Sequence, residues 1–175
     1  MKFPVCRLCF AFHAPAALLA KSYEPCRPAN LGFAMWEQVN KLRTLKGLPE
    51  PFAVDSGNMG SAWAKIDGEM DEVISAFSSY DDEAGFAILR DNRHFDTLKV
   101  NSQQIVDGVN AYDRMFDSEA KILEEIAAKL GNKTGVTGTI NLYTERACCP
   151  SCEYVIQQFQ QKYPNIIINV LKGKP

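Results

Sequence analysis

The sequence predicts an α/β fold, and three observations carry that expectation. The last third alternates helix and strand patterns in the order helix–strand–helix–strand, which implies parallel strands joined by right-handed crossovers. A final run, "IIINVL" (166–171), is dense in β-branched residues and suits a strand buried in a sheet. With 175 residues, 46% hydrophobic and 23% charged, the chain has the size and composition of one globular domain with an extension.

The chain reads as follows in order. Residues 1–33 carry Pro4, Pro15, Pro25 and Pro28 and little periodicity, so they read as an extension, in part without a fixed fold. Their start faintly resembles a signal peptide, but Arg7, His13 and two prolines interrupt its apolar middle. No run of about 18 apolar residues follows anywhere, so no spanning helix is expected. Residues 34–54 read as a helix and linker. Met35, Val39, Leu42 and Leu45 fall at helical spacing, and "KGLPEP" ends the helix with Gly and Pro. The remaining unit is 55–175. Within it "DSGNMG" is a loop and "SAWAKI" (61–66) a strand. Met70, Val73, Ile74 and Phe77 suggest a short helix, and "FSSYDDEAG" a polar loop. "FAIL" and "FDTLKV" read as strands around "RDNRH". Ile105, Val109, Tyr112 and Phe116 suggest another helix.

The last third is clearer. "DSEAKILEEIAAKL" (117–130) is a strong helix, with Ala120, Leu123, Ala127 and Leu130 on one face and Ile122 and Ile126 beside it. "GNKTGVTG" ends it, and "TINLYT" (139–144) is a strand. Val155, Ile156, Phe159 and Tyr163 form the apolar face of the next helix, which "YPN" stops.

Charge excludes a general nucleic-acid coat. Residues 1–50 hold seven Lys/Arg against three acids, 51–130 seven against sixteen, and 131–175 five against two. Nucleic acid could follow only a local groove. The acidic middle is read as a solvated surface.

Six cysteines fall in two groups: Cys6, Cys9 and Cys26, then Cys148, Cys149 and Cys152. The pattern is not an evenly spread disulfide framework and suits a chain working where thiols stay reduced. Cys149 and Cys152 sit where a strand's C-terminal end meets a helix N-terminus, the place where open α/β sheets bind ligands. Two chemistries compete there. A thioredoxin-like CxxC redox pair would draw on the helix dipole to stabilise a thiolate, but too little chain follows Cys152 for the strands such folds need. The other chemistry is metal. Catalytic zinc takes three protein ligands and a water, and the helix starting at "FDSEAKIL" offers Asp117 as the third, with Glu119 beside it. Taken alone, Asp117 reads better as an N-cap and Glu119 as a first-turn acid favoured by the dipole. His94 is a substitute ligand candidate. Cys6, Cys9, His13 and Cys26 are a conceivable second zinc site, with unpaired thiols as the alternative.

The stretches "SEAKILEEIA" (118–127) and "LYTERACCPSCEYVIQQFQQKYPNI" (142–166) resemble the catalytic half of cytidine-deaminase-like toxin domains of bacterial polymorphic toxins. The likeness is close over residues 113–171 and weak over 55–112. It implies a cytidine-deaminase-like three-layer fold, a mixed sheet with helices on both faces. It implies Zn2+ held by Asp117, Cys149 and Cys152, with Glu119 as proton shuttle. Asp117 stands where the family usually has His or Cys, and Cys148 replaces the proline before the first metal cysteine. Cys148 is either a packed bystander or an alternative thiolate. The implied activity is zinc-dependent deamination of cytosine in nucleic acid, single-stranded DNA first, with duplex DNA and RNA behind. The implied setting is delivery from a producer bacterium into a target-cell cytoplasm, with a cognate immunity protein as partner and no membrane role. A free cytidine deaminase is the alternative, as is a structural zinc module without turnover.

A base must leave its stack to reach such a site. Arg146, Tyr143, Ser78, Ser79, Asn101 and Trp63 are the candidate substrate contacts. Trp63 and Tyr143 alternatively pack a core, and Arg146 alternatively pairs with Glu145 or Glu153.

Overall fold

The computed structural model describes residues 29–53, 56–80 and 82–173. Cys6, Cys9, His13 and Cys26, with the suggested second zinc site, lie outside the described residues.

In chain order the elements are α1 (Ala29–Leu45), β1 (Met59–Ile66), β2 (Met70–Phe77), β3 (Lys99–Val100), β4 (Tyr112–Asp113), α2 (Ser118–Leu130), β5 (Gly138–Thr144), α3 (Pro150–Lys162) and β6 (Ile166–Lys172). Four strands form a mixed sheet in the order β2-β1-β5-β6. β1 is antiparallel to β2 and β5, while β5 and β6 are parallel and joined through α3. β3 and β4 make a separate short pair. Among the described residues no helix is long and apolar enough to cross a membrane.

Strand alternation divides the core in two. Ala62, Ala64 and Ile66 of β1 and Ile140 and Leu142 of β5 face α2 and α3, where Ile122, Leu123, Ile126, Leu130, Val155 and Phe159 close the larger cluster. Met59 and Tyr143, on the opposite face, pack with Phe77 against Met35 and Val39 of α1. Helices therefore cover both faces of the sheet. The hydroxyl of Tyr163 donates to the carbonyls of Ala127 and Gly131 at 3.2 and 2.8 Å and so satisfies the end of α2.

Four sequence expectations are corrected. Residues 70–77 form a strand, not a helix. The turn residues between β1 and β2 include Asp67 and Gly68, with Gly68 at φ +73°, and Glu69 N–H closes on the Ile66 carbonyl at 3.0 Å. This is hairpin chemistry, and full pairing with β1 overrides the helical spacing of 70, 73, 74 and 77. "FAIL" is not a strand. Ala87 N–H bonds the Ser75 carbonyl at 2.7 Å, and the chain then leaves the sheet. Of "FDTLKV" only Lys99–Val100 is strand. The apolar residues here fill space: Phe95 is buried, its ring centroid 5.7 Å from that of Phe159. The buried Glu124 carboxylate accepts from the backbone N–H of His94 and Phe95 and pins this loop to α2. Lastly, Ile105, Val109, Tyr112 and Phe116 do not lie on a helix. Asn101 accepts from the N–H of Gln103 and Ile105 and donates to the Val109 carbonyl, replacing helical bonds with a side-chain-built turn. Gln104, Asp107 and Asn110 take left-handed conformations, and the four apolar residues are exposed.

β5 enters the sheet at Gly138, where no side chain fits. A Cβ would sit 2.4 Å from the Lys65 carbonyl oxygen and 2.7 Å from Ile66 Cα. Gly138→Ala is expected to cost about 1–3 kcal/mol of stability, read from urea unfolding. An unchanged midpoint would contradict this close approach.

Candidate metal centre

Two helix starts meet beside the C-terminal end of β5. α3 begins after Cys149, and Pro150 occupies its first turn, where a missing N–H costs nothing. The Cys149 sulfur accepts the Cys152 N–H at 3.4 Å, so the cap itself orients one thiol. The second start is that of α2, preceded by Asp117.

Asp117 has the extended backbone of an N-cap, yet its side chain makes no capping hydrogen bond. Its Oδ2 instead lies 3.1 Å from Cys149 Sγ and 3.2 Å from Cys152 Sγ, and the sulfurs are 3.4 Å apart. Among the described residues these three form a group able to share one ion. A tetrahedral zinc with ordinary bond lengths spaces two sulfurs about 3.8 Å apart and a sulfur and an oxygen about 3.6 Å apart. The observed spacings are a few tenths of an ångström shorter, so small side-chain rotations fit the ion. The donor chemistry also fits. The hydrogen bond between the thiols lowers the Cys149 pKa and raises that of Cys152. The Asp117 carboxylate against both sulfurs supplies the third donor that a shared cation takes. Arg114 Nε donates to the same Asp117 oxygen at 3.0 Å.

Glu119 is 2% exposed and lines the same cavity of about 400 Å³ as Asp117, Cys149 and Cys152. Thr144 Oγ1 donates to its Oε1 at 2.7 Å and Ser118 Oγ to its Oε2 at 3.1 Å. Asn58 Nδ2 reaches both carboxylate oxygens at 3.3 Å. Burial, and then the negative charge of Asp117, push the Glu119 carboxyl above its ordinary pKa, against the opposing hydrogen bonds. Cys148 Sγ lies 3.9 Å from Glu119 Oε1. Burial and the Glu119 charge push its thiol up to about 12.

The substrate-contact candidates separate by position. Ser78 and Arg146 line the cavity, and Ser78 Oγ accepts the Asn58 N–H at 2.8 Å. Arg146 pairs with neither Glu145 nor Glu153. It donates to Ser56 Oγ at 3.0 Å and lies over the Phe52 ring. Ser79 is not among the lining residues, and Asn101 is buried building its own turn. Tyr143 and Trp63 are turned to the α1 face, because they alternate with Thr144 and with Ala62 and Ala64. Trp63 Nε1 donates to Asp71 at 2.7 Å. His94 binds Glu124 at 3.0 Å and takes no part in the metal group.

Asn58, Thr144 and Arg114 were missed. Thr144 was open to detection: it shares parity with Ile140 and Leu142, which the helix-facing core demands. Asn58 sits in a loop with no periodic signal, yet it contacts Ser118, Glu119 and Thr144 at once.

The family model Toxin-deaminase, described as the BURPS668_1122 family of deaminases, matches residues 39–174. No curated protein matches the chain, and no solved structure does.

Proposed function

The chain belongs to the Toxin-deaminase family, and from that premise we propose that it is a zinc-dependent enzyme converting cytosine to uracil in nucleic acid, with single-stranded DNA as the favoured polymer. The proposed arrangement is the cytidine-deaminase-like three-layer one. The proposed setting is delivery from a producer bacterium into a target-cell cytoplasm, where a cognate immunity protein would neutralise the domain. The observation that carries the reading is the convergence of Asp117, Cys149 and Cys152 with a buried Glu119 in one cavity.

Zinc held by Asp117, Cys149 and Cys152 would supply Lewis acidity that makes water a nucleophile near neutral pH. Glu119 takes a proton from the attacking water on a carboxylate oxygen and passes it to the ring nitrogen. It then serves the departing amine, so that C–N cleavage releases ammonia and leaves uracil. Thr144, Ser118 and Asn58 hold both Glu119 oxygens in place through these transfers. Tyr112 and Phe116 supply aromatic wall to the same cavity, suited to a base taken out of its stack. Arg146 at the rim suits a phosphate.

Metal and product analysis test this. The purified chain is expected to hold about one zinc and to convert cytosine to uracil in a single-stranded oligonucleotide. Cys149→Ser is expected to lose most of the metal and the activity with it. Turnover of free cytidine alone would replace the polymer reading with a nucleoside deaminase. Zinc without turnover on any substrate would leave a structural metal module.

A further inference from the structure

Arg146 divides two hollows. One is the cavity holding Glu119 and the cysteines. The other, about 860 Å³, lies across the Arg146–Ala147 segment and is bounded by Phe52, Cys148 and Lys172. Gln104, Arg146 and Ala147 line both, so the two adjoin across that segment.

Phe52 is the unusual wall of the second hollow. Its ring is 67% exposed, and its backbone sits at φ +69°, a conformation that bulky residues rarely take. It is the third position of the Glu50–Ala53 turn, which the Ala53 N–H closes on the Glu50 carbonyl at 3.2 Å. The Arg146 guanidinium lies 5.7 Å from the Phe52 ring centroid and is held by Ser56 Oγ. The Arg146 backbone N–H is held at 3.2 Å by Asn58 Oδ1, and the Asn58 amide holds Glu119. The catalytic carboxylate, the cation and the exposed ring are therefore linked through one residue. Among the described residues the one acid lining this hollow, Glu145, is buried and bound to Arg43, while Arg146 and the exposed Lys172 are its cations.

We propose that this second hollow is the subsite for the nucleotide adjoining the target, with the Phe52 ring stacking its base and Arg146 and Lys172 holding the phosphates beside it. The proposal rests on the nucleic-acid reading above and sharpens it. An exposed ring beside cations is how single strands are held without base readout. A base already stacked in a duplex has no free face for Phe52, so the subsite selects an unpaired flank.

The test uses the zinc-loaded chain and a single-stranded oligonucleotide with one cytosine. Phe52→Gly is expected to lower kcat/KM roughly 5- to 150-fold, the factor a lost base stack implies. Its Tm is expected to hold or rise, since glycine accepts positive φ freely. Phe52→Trp keeps the activity. An abasic residue on one side of the cytosine costs the wild type the same factor and costs Phe52→Gly nothing further, as two disruptions of one contact do not add. Wild-type kcat/KM in Phe52→Gly, or an undiminished abasic penalty in it, overturns the subsite while the deaminase reading stands. A wild type that deaminates cytidine and no oligonucleotide overturns the polymer reading and the subsite together.

Discussion

Glu119→Gln is expected to lower kcat by about 10²–10⁴-fold, the range for a positioned acid–base group, while the chain keeps its zinc. The amide keeps the size of the side chain and an oxygen for Thr144, but it cannot take up a proton at neutral pH. Because Glu119 is not among the three metal donors, metal content separates this variant from Cys149→Ser. The same substitution has a stability signature in the metal-free protein. Burial and the nearby Asp117 charge raise the folded-state pKa of Glu119. Below the ordinary carboxylate pKa, folded and unfolded chains both hold the proton and the group costs nothing. As pH rises through that value the unfolded chain releases its proton and the folded chain does not, so stability falls until the folded carboxyl ionises as well. Glu119→Gln removes that loss. Urea midpoints of the metal-free proteins should coincide at low pH and favour the variant at neutral pH. A variant that keeps its turnover, or that is weaker than wild type at neutral pH and equal to it in acid, would remove Glu119 from the role of proton carrier.

The same property explains why this carboxylate could be picked out of the sequence. A helix start with Asp117 and Glu119 and a second start with Cys149 and Cys152 are local patterns, and the strand between them fixes how they meet. Their convergence follows from the α2–β5–α3 order, in which β5 returns the chain from the end of α2 to the level of its start. What stayed hidden depends on contacts distant in sequence. Asn58 acts through partners up to 88 residues away, and no spacing rule reaches that far. Trp63, on the first strand, and Tyr143, just before the cysteines, are substrate candidates as aromatic groups, but strand parity sends both to the α1 face. The apolar residues at 105, 109, 112 and 116 mimic a helix by count, while a single buried Asn101 side chain builds a different backbone. The strand at 70–77 was masked by a coincidental helical period, although Asp67-Gly68 already marked the hairpin.

Arg43→Met is expected to be the most destabilising single change distant from the metal group. Arg43 and Glu145 are 3% and 4% exposed and meet through two bonds, Nε to Oε1 at 2.5 Å and Nη2 to Oε2 at 2.6 Å. Among the described residues neither side chain leaves a buried nitrogen or oxygen without a partner. Glu145 Oε2 also accepts the Met59 N–H at 2.8 Å. Arg43 donates to the carbonyls of Pro49, Ser56 and Gly57. The pair thus ties α1, the 49–57 loop and the ends of β1 and β5 together on the face opposite the cysteines. Removing Arg43 leaves a buried carboxylate and three carbonyls without their donor, a loss of about 3–5 kcal/mol out of a typical total of about 5–15 kcal/mol. Glu145→Gln should cost less than Arg43→Met, because the amide still bonds Met59 and one guanidinium nitrogen. Replacing both with Met and Leu should recover part of the loss, because no charge is then stranded. Urea unfolding of the two singles and the double measures this coupling. If Arg43→Met costs under about 1 kcal/mol, the value of an exposed pair, then the pair does not fasten the helix to the sheet. The consequence for the site runs through one peptide bond. Glu145 fixes the end of β5, and Thr144, facing the other way, holds the Glu119 carboxylate, so a loosened ion pair should lower kcat in protein that is still folded.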